Sequence, residues 1–516
     1  MTEPALDAVV VGGGVAGLVA ARELAVAGLR PVVLDGWRAP GGAVGRHTVA
    51  GLELDAGADS FATRGGIVAA LATELGLGAA ITAPSRAGAW VQLPTGAGTL
   101  PRTGLLGIPA HPWAPDVRRT IGLVGALRAT ADRLLPAAAG TVRRDGSQAS
   151  LGELVAFRMG PRVLSRLVTP VVRGVHAADP NELDVDAVSP GLRAELAARG
   201  SLGAAVVALR ALAPAGSAVA GLVGGVHGLV DSLVRDLVAR GGRLETGARV
   251  IGVERDPSGA EPGGEPVAEP GGTAANRPVR AGVAGGWLVR VAPATAGEPA
   301  RVLRARRLVL ALPGPAAADL LAPLVPALAQ VRPDAGADVV LATLVLDEPA
   351  LDSAPRGTGV LVAAGVAGVR AKALTHATAK WAWLAAAAGP GRHVVRLSYA
   401  SAGTGGDAAG DVAGLSPADL TSLALRDAST LLGVPLDASR VVEFARVRWS
   451  QSLPKPSAAH RAAVEAVRAG ARDLPGFAVC GSWVAGNGLA AVVADARAAG
   501  RRLVPDDVAA PSPTRA

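Results

Sequence analysis

The sequence predicts an α/β protein: a Rossmann-like, two-part nucleotide-binding domain, a mixed-sheet second domain and a mostly helical insertion. Three observations predict it. The chain opens on a strand, a glycine turn, a helix and a second strand. It closes on another strand–glycine–helix unit. Between them lie a helical tract broken by prolines and a later run of strands suited to a second sheet.

Each element follows from local pattern. Ala8 to Val11 is a short run of apolar, mostly β-branched residues, Val15 to Ala27 reads as a helix, and Pro31 to Leu34 is a strand ending at Asp35. Gly66 to Leu75 is helical and stops at Gly76, a natural C-cap. Residues from about 105 to 185 read as mostly helical, with breaks at Pro109, Pro112, Pro136 and Gly140 and amphipathic stretches at Leu151 to Phe157 and Arg162 to Val168. A helix from His227 to Arg240 precedes strands at Arg243 to Glu245 and Arg249 to Glu254. Asp256 to Gly286, rich in Gly, Pro, Ala and Glu without hydrophobic period, reads as a flexible insert between strands. Strands resume at Trp287 to Val291 and Leu308 to Leu312, and Val339 to Leu346, Gly359 to Val362 and His393 to Ala400 suit the second sheet. Pro417 to Leu432 is a helix, Phe477 to Cys480 a strand and Leu489 to Ala499 the last helix.

Composition narrows the function. The 516 residues carry 51 basic and 43 acidic side chains, a net charge of +8, yet the arginines are scattered without a basic tract or interleaved aromatics. That disfavours nucleic acid and favours a solvated surface with some sites for anionic groups. Only Lys372, Lys380 and Lys455 are lysines. Cys480 is the single cysteine, and the seven histidines show no ligand spacing, so no metal site is expected. Strand residues begin where a signal peptide would carry its basic and apolar regions, and the apolar stretch Ala211 to Val230 is broken by Pro214 and glycines. A cytoplasmic protein is expected, at most peripheral to the inner face of the membrane.

The motif Gly12-Gly13-Gly14-Val15-Ala16-Gly17 lets the backbone turn sharply and approach a pyrophosphate at a helix N-terminus. Asp35 is placed to accept hydrogen bonds from a ribose. A second glycine pair, Gly41-Gly42, and the stretch Leu52 to Phe61 follow at once, which suits a longer cofactor than NAD. The turn from Gly481 through Gly488, Leu489 and Ala490 adds another helix N-terminus able to stabilise negative charge on a reduced flavin. Together these turns point to FAD.

The chain resembles the FAD-dependent porphyrinogen oxidases of haem synthesis, within the amine oxidase-like flavoproteins, and most of all the bacterial coproporphyrinogen III oxidases. Leu54 to Phe61 resembles the family's "ERGPDSF" stretch with Ala58 where proline is usual, and Leu105 to Pro109 resembles "MGIP". Pro170 to Pro180 resembles "PLLSGIYAGD", and Lys372 to Thr375, Lys380-Trp381, Arg448-Trp449 and Pro454 resemble substrate-domain signatures. The resemblance implies cofactor contacts from Gly12, Gly14, Gly17, Asp35, Gly42 and Gly57-Ala58-Asp59-Ser60, an adenine contact through the Val250 backbone, and Trp449 with Gly488 to Ala490 beside the flavin. It implies domains at 1–66, 218–316 and 472–508 for FAD, at 67–105, 186–217 and 317–471 for substrate, and a helical unit at 106–185.

The implied reaction is the six-electron, oxygen-dependent oxidation of coproporphyrinogen III to coproporphyrin III. Hydride passes to the flavin, dioxygen is reduced to hydrogen peroxide, and product can pass to ferrochelatase. The sequence offers no acid–base dyad, and pyrrole tautomers can relay the protons, so no catalytic side chain is assigned. Arg64, Arg173 and Lys372 are candidate anchors for substrate carboxylates, with His176 a weaker one. His176 stands where the family has Tyr or Phe, and Gly65 and Gly66 stand where relatives carry a basic residue, for which Arg64 can substitute. Protoporphyrinogen IX oxidase, an amine oxidase, a carotenoid-type desaturase and a non-catalytic tetrapyrrole-binding protein are the alternatives.

Overall fold

The computed structural model describes residues 5–100, 104–176, 178–211, 219–256, 285–293, 295, 298–329, 332–333, 335–400, 412–453 and 457–505. The insert expected over 256–286 lies almost wholly outside them. Its ends meet, however: strands Val250–Asp256 and Gly286–Val291 pair antiparallel, with Asp256 opposite Gly286.

Five short strands form a parallel sheet in the order Arg243–Thr246, Pro31–Asp35, Ala8–Val11, Leu308–Leu310, Phe477–Val479. The central strands are apolar at successive positions because both faces are covered. Val10, Val33, Val309 and Ala478 face helices Val15–Val26, Gly228–Ala239 and Leu489–Arg502, while Val9, Val32, Leu308 and Phe477 face Trp287 and helix Gly314–Leu321. Two charges buried in the first helix are paired across it. Arg22 binds Glu74 and Asp236, each at 2.8 Å, and Glu23 takes Arg501 at 2.7 Å.

A second, seven-stranded sheet runs in the order Val441–Leu453, Ala337–Asp347, Arg392–Ala400, Ala373–His376, Gly359–Val362, Trp90–Leu93, Gly96–Thr99. It is antiparallel except where Gly359–Val362 joins Trp90–Leu93. One face packs on helix Pro417–Leu432; the other meets Val49 and Leu54 of the hairpin Arg46–Val49/Leu52–Asp55. The hairpin Trp90–Leu93/Gly96–Thr99 lacked a clear sequence signal, since glycine and threonine replace the usual apolar alternation in its second arm.

Ahead of helix Pro115–Thr130 the chain forms a short hairpin, Gly104–Leu105 with Ile108–Pro109. The core of the helical unit gathers Ile121, Leu154, Val163, Leu167, Leu196 and Val206, so helices Leu192–Arg199 and Leu202–Ala211 pack with it. Arg158, fully buried, organises this unit. Its guanidinium holds Asp132 at 2.5 Å and donates to the carbonyls of Pro136, Ala139 and Gly200 at 2.9, 3.1 and 2.8 Å. Asp132 in turn accepts the Gly203 N–H at 3.1 Å. Removing one member of a buried pair strands the other charge. Arg158→Met should therefore cost about 3–5 kcal/mol, read as a lowered urea midpoint, and an unchanged midpoint would refute this role.

Candidate functional site

The parallel sheet ends all five strands at one edge, where the glycine turns converge. Gly12 N–H donates to Leu34 at 2.8 Å, and the helix beginning at Val15 packs so closely that a Cβ on Gly17 would strike the Gly12 carbonyl oxygen. Gly14 precedes the helix with no side-chain cap and no acidic residue in the first turn, so no side chain of the turn satisfies the first N–H groups. A Cβ on Gly14 would meet only the Gly41 oxygen, 4.0 Å away. Asp35, buried, accepts the Gly13 N–H at 3.1 Å and the Trp37 N–H at 2.9 Å; burial raises its carboxyl above the usual range against these two bonds.

Gly41 joins this turn directly, its N–H donating to the Gly13 carbonyl at 2.8 Å. The loop Gly42–Val44 then holds the next segment: Ala56 N–H donates to Gly45 at 2.8 Å and Ala58 N–H to Ala43 at 2.9 Å. The carbonyls of the same segment face the second sheet. Trp449 Nε1 donates to Ala56 at 2.8 Å, and Arg396 donates to Asp55 at 3.0 Å and Gly57 at 2.8 Å. Asp59 lies between Lys380, at 2.9 Å, and Arg396, at 3.6 Å. Burial opposes its ionisation, but Arg396 and Lys380 outweigh it and bring the carboxyl down to about 2. Asp55 accepts the His227 N–H at 2.9 Å, which ties in the helix Gly228–Ala239.

The third turn arrives beside the first. Cys480 Sγ sits 3.9 Å from the Ala16 carbonyl, and burial pushes its thiol far up, so it is an inert packing group. Gly481 has φ of 126° and Gly488 φ of 111°; a Cβ on Gly488, which precedes helix Leu489–Arg502, would touch nothing within 4 Å. Val250 starts its strand close to Asp35, whose backbone carbonyl accepts the Ala248 N–H at 2.8 Å. The glycines therefore fall into two kinds: those crowded by backbone, such as Gly17, and those open to space, Gly14 and Gly488. An extended ligand with phosphates fits that cradle.

The candidate anchors are less unified. Arg64 is exposed on the turn before helix Ile67–Glu74, and Arg173 pairs with Asp179 at 3.6 Å. Helix Thr169–His176 crosses strand Gly359–Val362, where a Cβ on Gly174 would lie 2.8 Å from Leu361. Val362 N–H donates to the Lys372 carbonyl at 3.1 Å, so Arg173 and Lys372 come from adjoining elements. Lys372 is largely buried, and burial lowers its ammonium to about 8. The His176 side chain lies outside the described residues. Trp381 is buried in the core. A separate cavity of about 460 Å³ opens in the helical unit, lined by His111, Arg133, Met159 and Ser201, away from every glycine turn.

The family model for flavin-containing amine oxidoreductases matches residues 15–271 and 284–504. The chain belongs to that family. It is a flavin-dependent oxidoreductase of α/β fold. It is 29% identical over 504 residues to a protein of Mycobacterium leprae (strain TN) named coproporphyrinogen III oxidase, covering 96% of each chain. A Mycobacterium bovis protein of the same name is 30% identical over 506 residues, again with 96% of each covered. Among solved structures, one from Exiguobacterium sp. 255-15, provisionally named protoporphyrinogen oxidase, superposes with a TM-score of 0.74 at 21% identity, covering 98% of this chain and 99% of that one. Wild-type putrescine oxidase superposes at 0.60 with 16% identity, covering 98% and 100%.

The sequence reading missed Arg396, Asp55 and His227, and gave Lys380 no role. Arg396 is one arginine among dozens; Lys380 carried a signal, as one of three lysines in the chain. The open position of Gly14 gives a separable expectation. Gly14→Ala should leave urea unfolding of the flavin-free protein within about 1 kcal/mol, while flavin retained through gel filtration falls several-fold. Equal retention would show that the cradle lies elsewhere.

Proposed function

We propose that this oxidoreductase uses FAD to oxidise coproporphyrinogen III to coproporphyrin III in haem biosynthesis, with dioxygen as acceptor and hydrogen peroxide as by-product. The observation that carries the reading is end-to-end similarity to mycobacterial proteins of that name. A second observation weighs against an amine oxidase. Tyr399, the only tyrosine, is fully buried in the core of the second sheet, so no tyrosine is available for an aromatic cage at a flavin.

FAD, when bound, supplies the acceptance of an electron pair from the macrocycle at each oxidation step. The chain's residues hold and orient. Gly12 to Gly17, with Gly41 and Gly42, would cradle the pyrophosphate, Asp35 the ribose and the Val250 backbone the adenine. Gly57 to Ser60, Trp449, Gly481 and Gly488 to Ala490 would bound the flavin end. Lys372 and Arg173 would bind substrate carboxylates, with Arg64 and His176 as further contacts. At pH 7 an ammonium titrating at about 8 is still mostly charged, so Lys372 can pair with a carboxylate. The domain division at 67, 106, 186, 218, 317 and 472 belongs to this reading, as does transfer of product to ferrochelatase.

A cytoplasmic site of action, with peripheral contact at the membrane's inner face, also belongs to it. Among the described residues no helix is long and apolar enough to cross a membrane. Gly122 breaks helix Pro115–Thr130, and the following turns expose Leu123, Val124, Leu127 and Leu134 at 64, 67, 66 and 86%. Exposed Arg118, Arg119 and Arg133 lie alongside in sequence. Apolar residues among arginines suit an anionic lipid surface. Sedimentation with phosphatidylglycerol vesicles, but not with phosphatidylcholine alone, is expected, and should vanish in Leu123→Asp/Leu127→Asp; absence of binding to both would end this part of the reading.

Anaerobic flavin reduction tests the reaction itself. Coproporphyrinogen III should bleach the flavin faster than protoporphyrinogen IX, and a panel of amines should not bleach it. Lys372→Met should raise the coproporphyrinogen KM about tenfold, the loss of one charge-assisted contact. Bleaching by amines alone would refute the proposal.

A further inference from the structure

The segment from Asp55 to Ser60 has no strand ladder beyond Asp55, yet its polar groups are taken up on two sides. The second glycine loop accepts its N–H groups at Ala56 and Ala58. Side chains of the second sheet donate to its carbonyls at Asp55, Ala56 and Gly57. The only carboxylate within it past Asp55, on Asp59, meets Lys380 through both oxygens, at 3.0 and 2.9 Å.

We propose that Lys380 and Arg396 are positioning residues of the flavin pocket, clamping Asp59 so that the 55–60 segment joins the second glycine loop to the second sheet. This rests on the flavin reading of that loop. Lys380 is itself fixed. It ends the short helix Ala377–Lys380, its ammonium lies 5.0 Å from the Trp381 ring centroid, and its carbonyl accepts the Ser85 N–H at 2.8 Å. Trp381 is buried, and a Cβ on Gly221 would lie 2.7 Å from its ring. Arg396 sits on the same strand, Arg392–Ala400, that pairs with Ala373–His376 just before Lys380. A movement of the substrate-side sheet therefore reaches the glycine loop through two cations and one carboxylate.

The groups facing Asp59 are Lys380, Arg396 and the Ser60 hydroxyl, and beyond them the Asp55–His227 pair and His47, whose imidazole is held low by burial and by Arg396. A carboxyl held below its ordinary value stabilises the fold above that value, and the contribution is lost as pH falls through about 2. Without Lys380, burial is opposed mainly by Arg396, and the loss moves up in pH.

The test compares purified holoprotein of wild type, Lys380→Met and Lys380→Met/Asp59→Asn. Two quantities are followed from about pH 7 down to about pH 4, where carboxylates titrate: flavin retained per chain after gel filtration, and the thermal midpoint of the flavin-stripped protein. Lys380→Met should acquire an acid-dependent loss in both, with a midpoint at least about one pH unit above any in wild type. Lys380→Met/Asp59→Asn should lose that dependence and recover part of the thermal midpoint, because no buried carboxylate is left unpaired. Superposable profiles for Lys380→Met and wild type would overturn the proposal. So would a double variant no better than the single, since Lys380 would then act only through packing. Wild type without flavin would count against the flavin reading alone, because the stripped protein still judges the Lys380–Asp59 unit.

Discussion

Backbone lying against backbone at the glycine turns is the constraint on which the rest of this structure depends. The Gly12 carbonyl occupies the space a Cβ on Gly17 would need, and the Ala43 carbonyl does the same at Gly57. These approaches bring a helix N-terminus, a buried carboxylate and a second loop within one backbone hydrogen bond of each other. Side chains of any size would separate the three, and the open cradle at Gly14 would close or drift.

That arrangement needs support from far along the chain. The strand Leu308–Leu310 sits between the first strand and Phe477–Val479, so the last glycine turn reaches the first although more than four hundred residues separate Gly17 from Cys480. Paired charges between helices, Arg22 with Asp236 and Glu23 with Arg501, hold the outer layer in register with it. On the other side, Trp449 and Arg396 bind carbonyls that no strand pairs. The half built on the parallel sheet and the second sheet are thus joined by side-chain-to-backbone bonds at one short segment, and the position of each depends on the other.

Much of this was legible in the sequence because it is local. The turns at Gly12 and Gly488, the acid at Asp35 and the strands around Val10 and Val309 follow from spacing and β-branched runs. The insert beyond Asp256 was marked by composition, and the pairing of its flanking strands agrees with its place between strands. What was not legible is non-local. Nothing near Arg396 or His227 in sequence announces Asp55 as their partner, since the contacts span 341 and 172 positions. The weakly patterned hairpin at Trp90–Leu93 is stabilised by the strand Gly359–Val362, again a distant partner. The candidate anchors are intermediate: Arg173 and Lys372 fall on adjoining elements, whereas Arg64 stands on an exposed turn.

The choice of cation at the junction has its own chemistry. A chain with 51 basic residues keeps lysine at three places, and one of them faces Asp59. Arg396 uses its planar fork to reach two carbonyls and the edge of the carboxylate. The Lys380 ammonium, beside Asp59, also lies 5.0 Å from the Trp381 ring centroid and donates to the Ser60 hydroxyl at 3.4 Å, which suits a compact cation with three donors. The pair therefore divides the work by shape. The fork fixes the backbone, and the point charge fixes the Asp59 side chain.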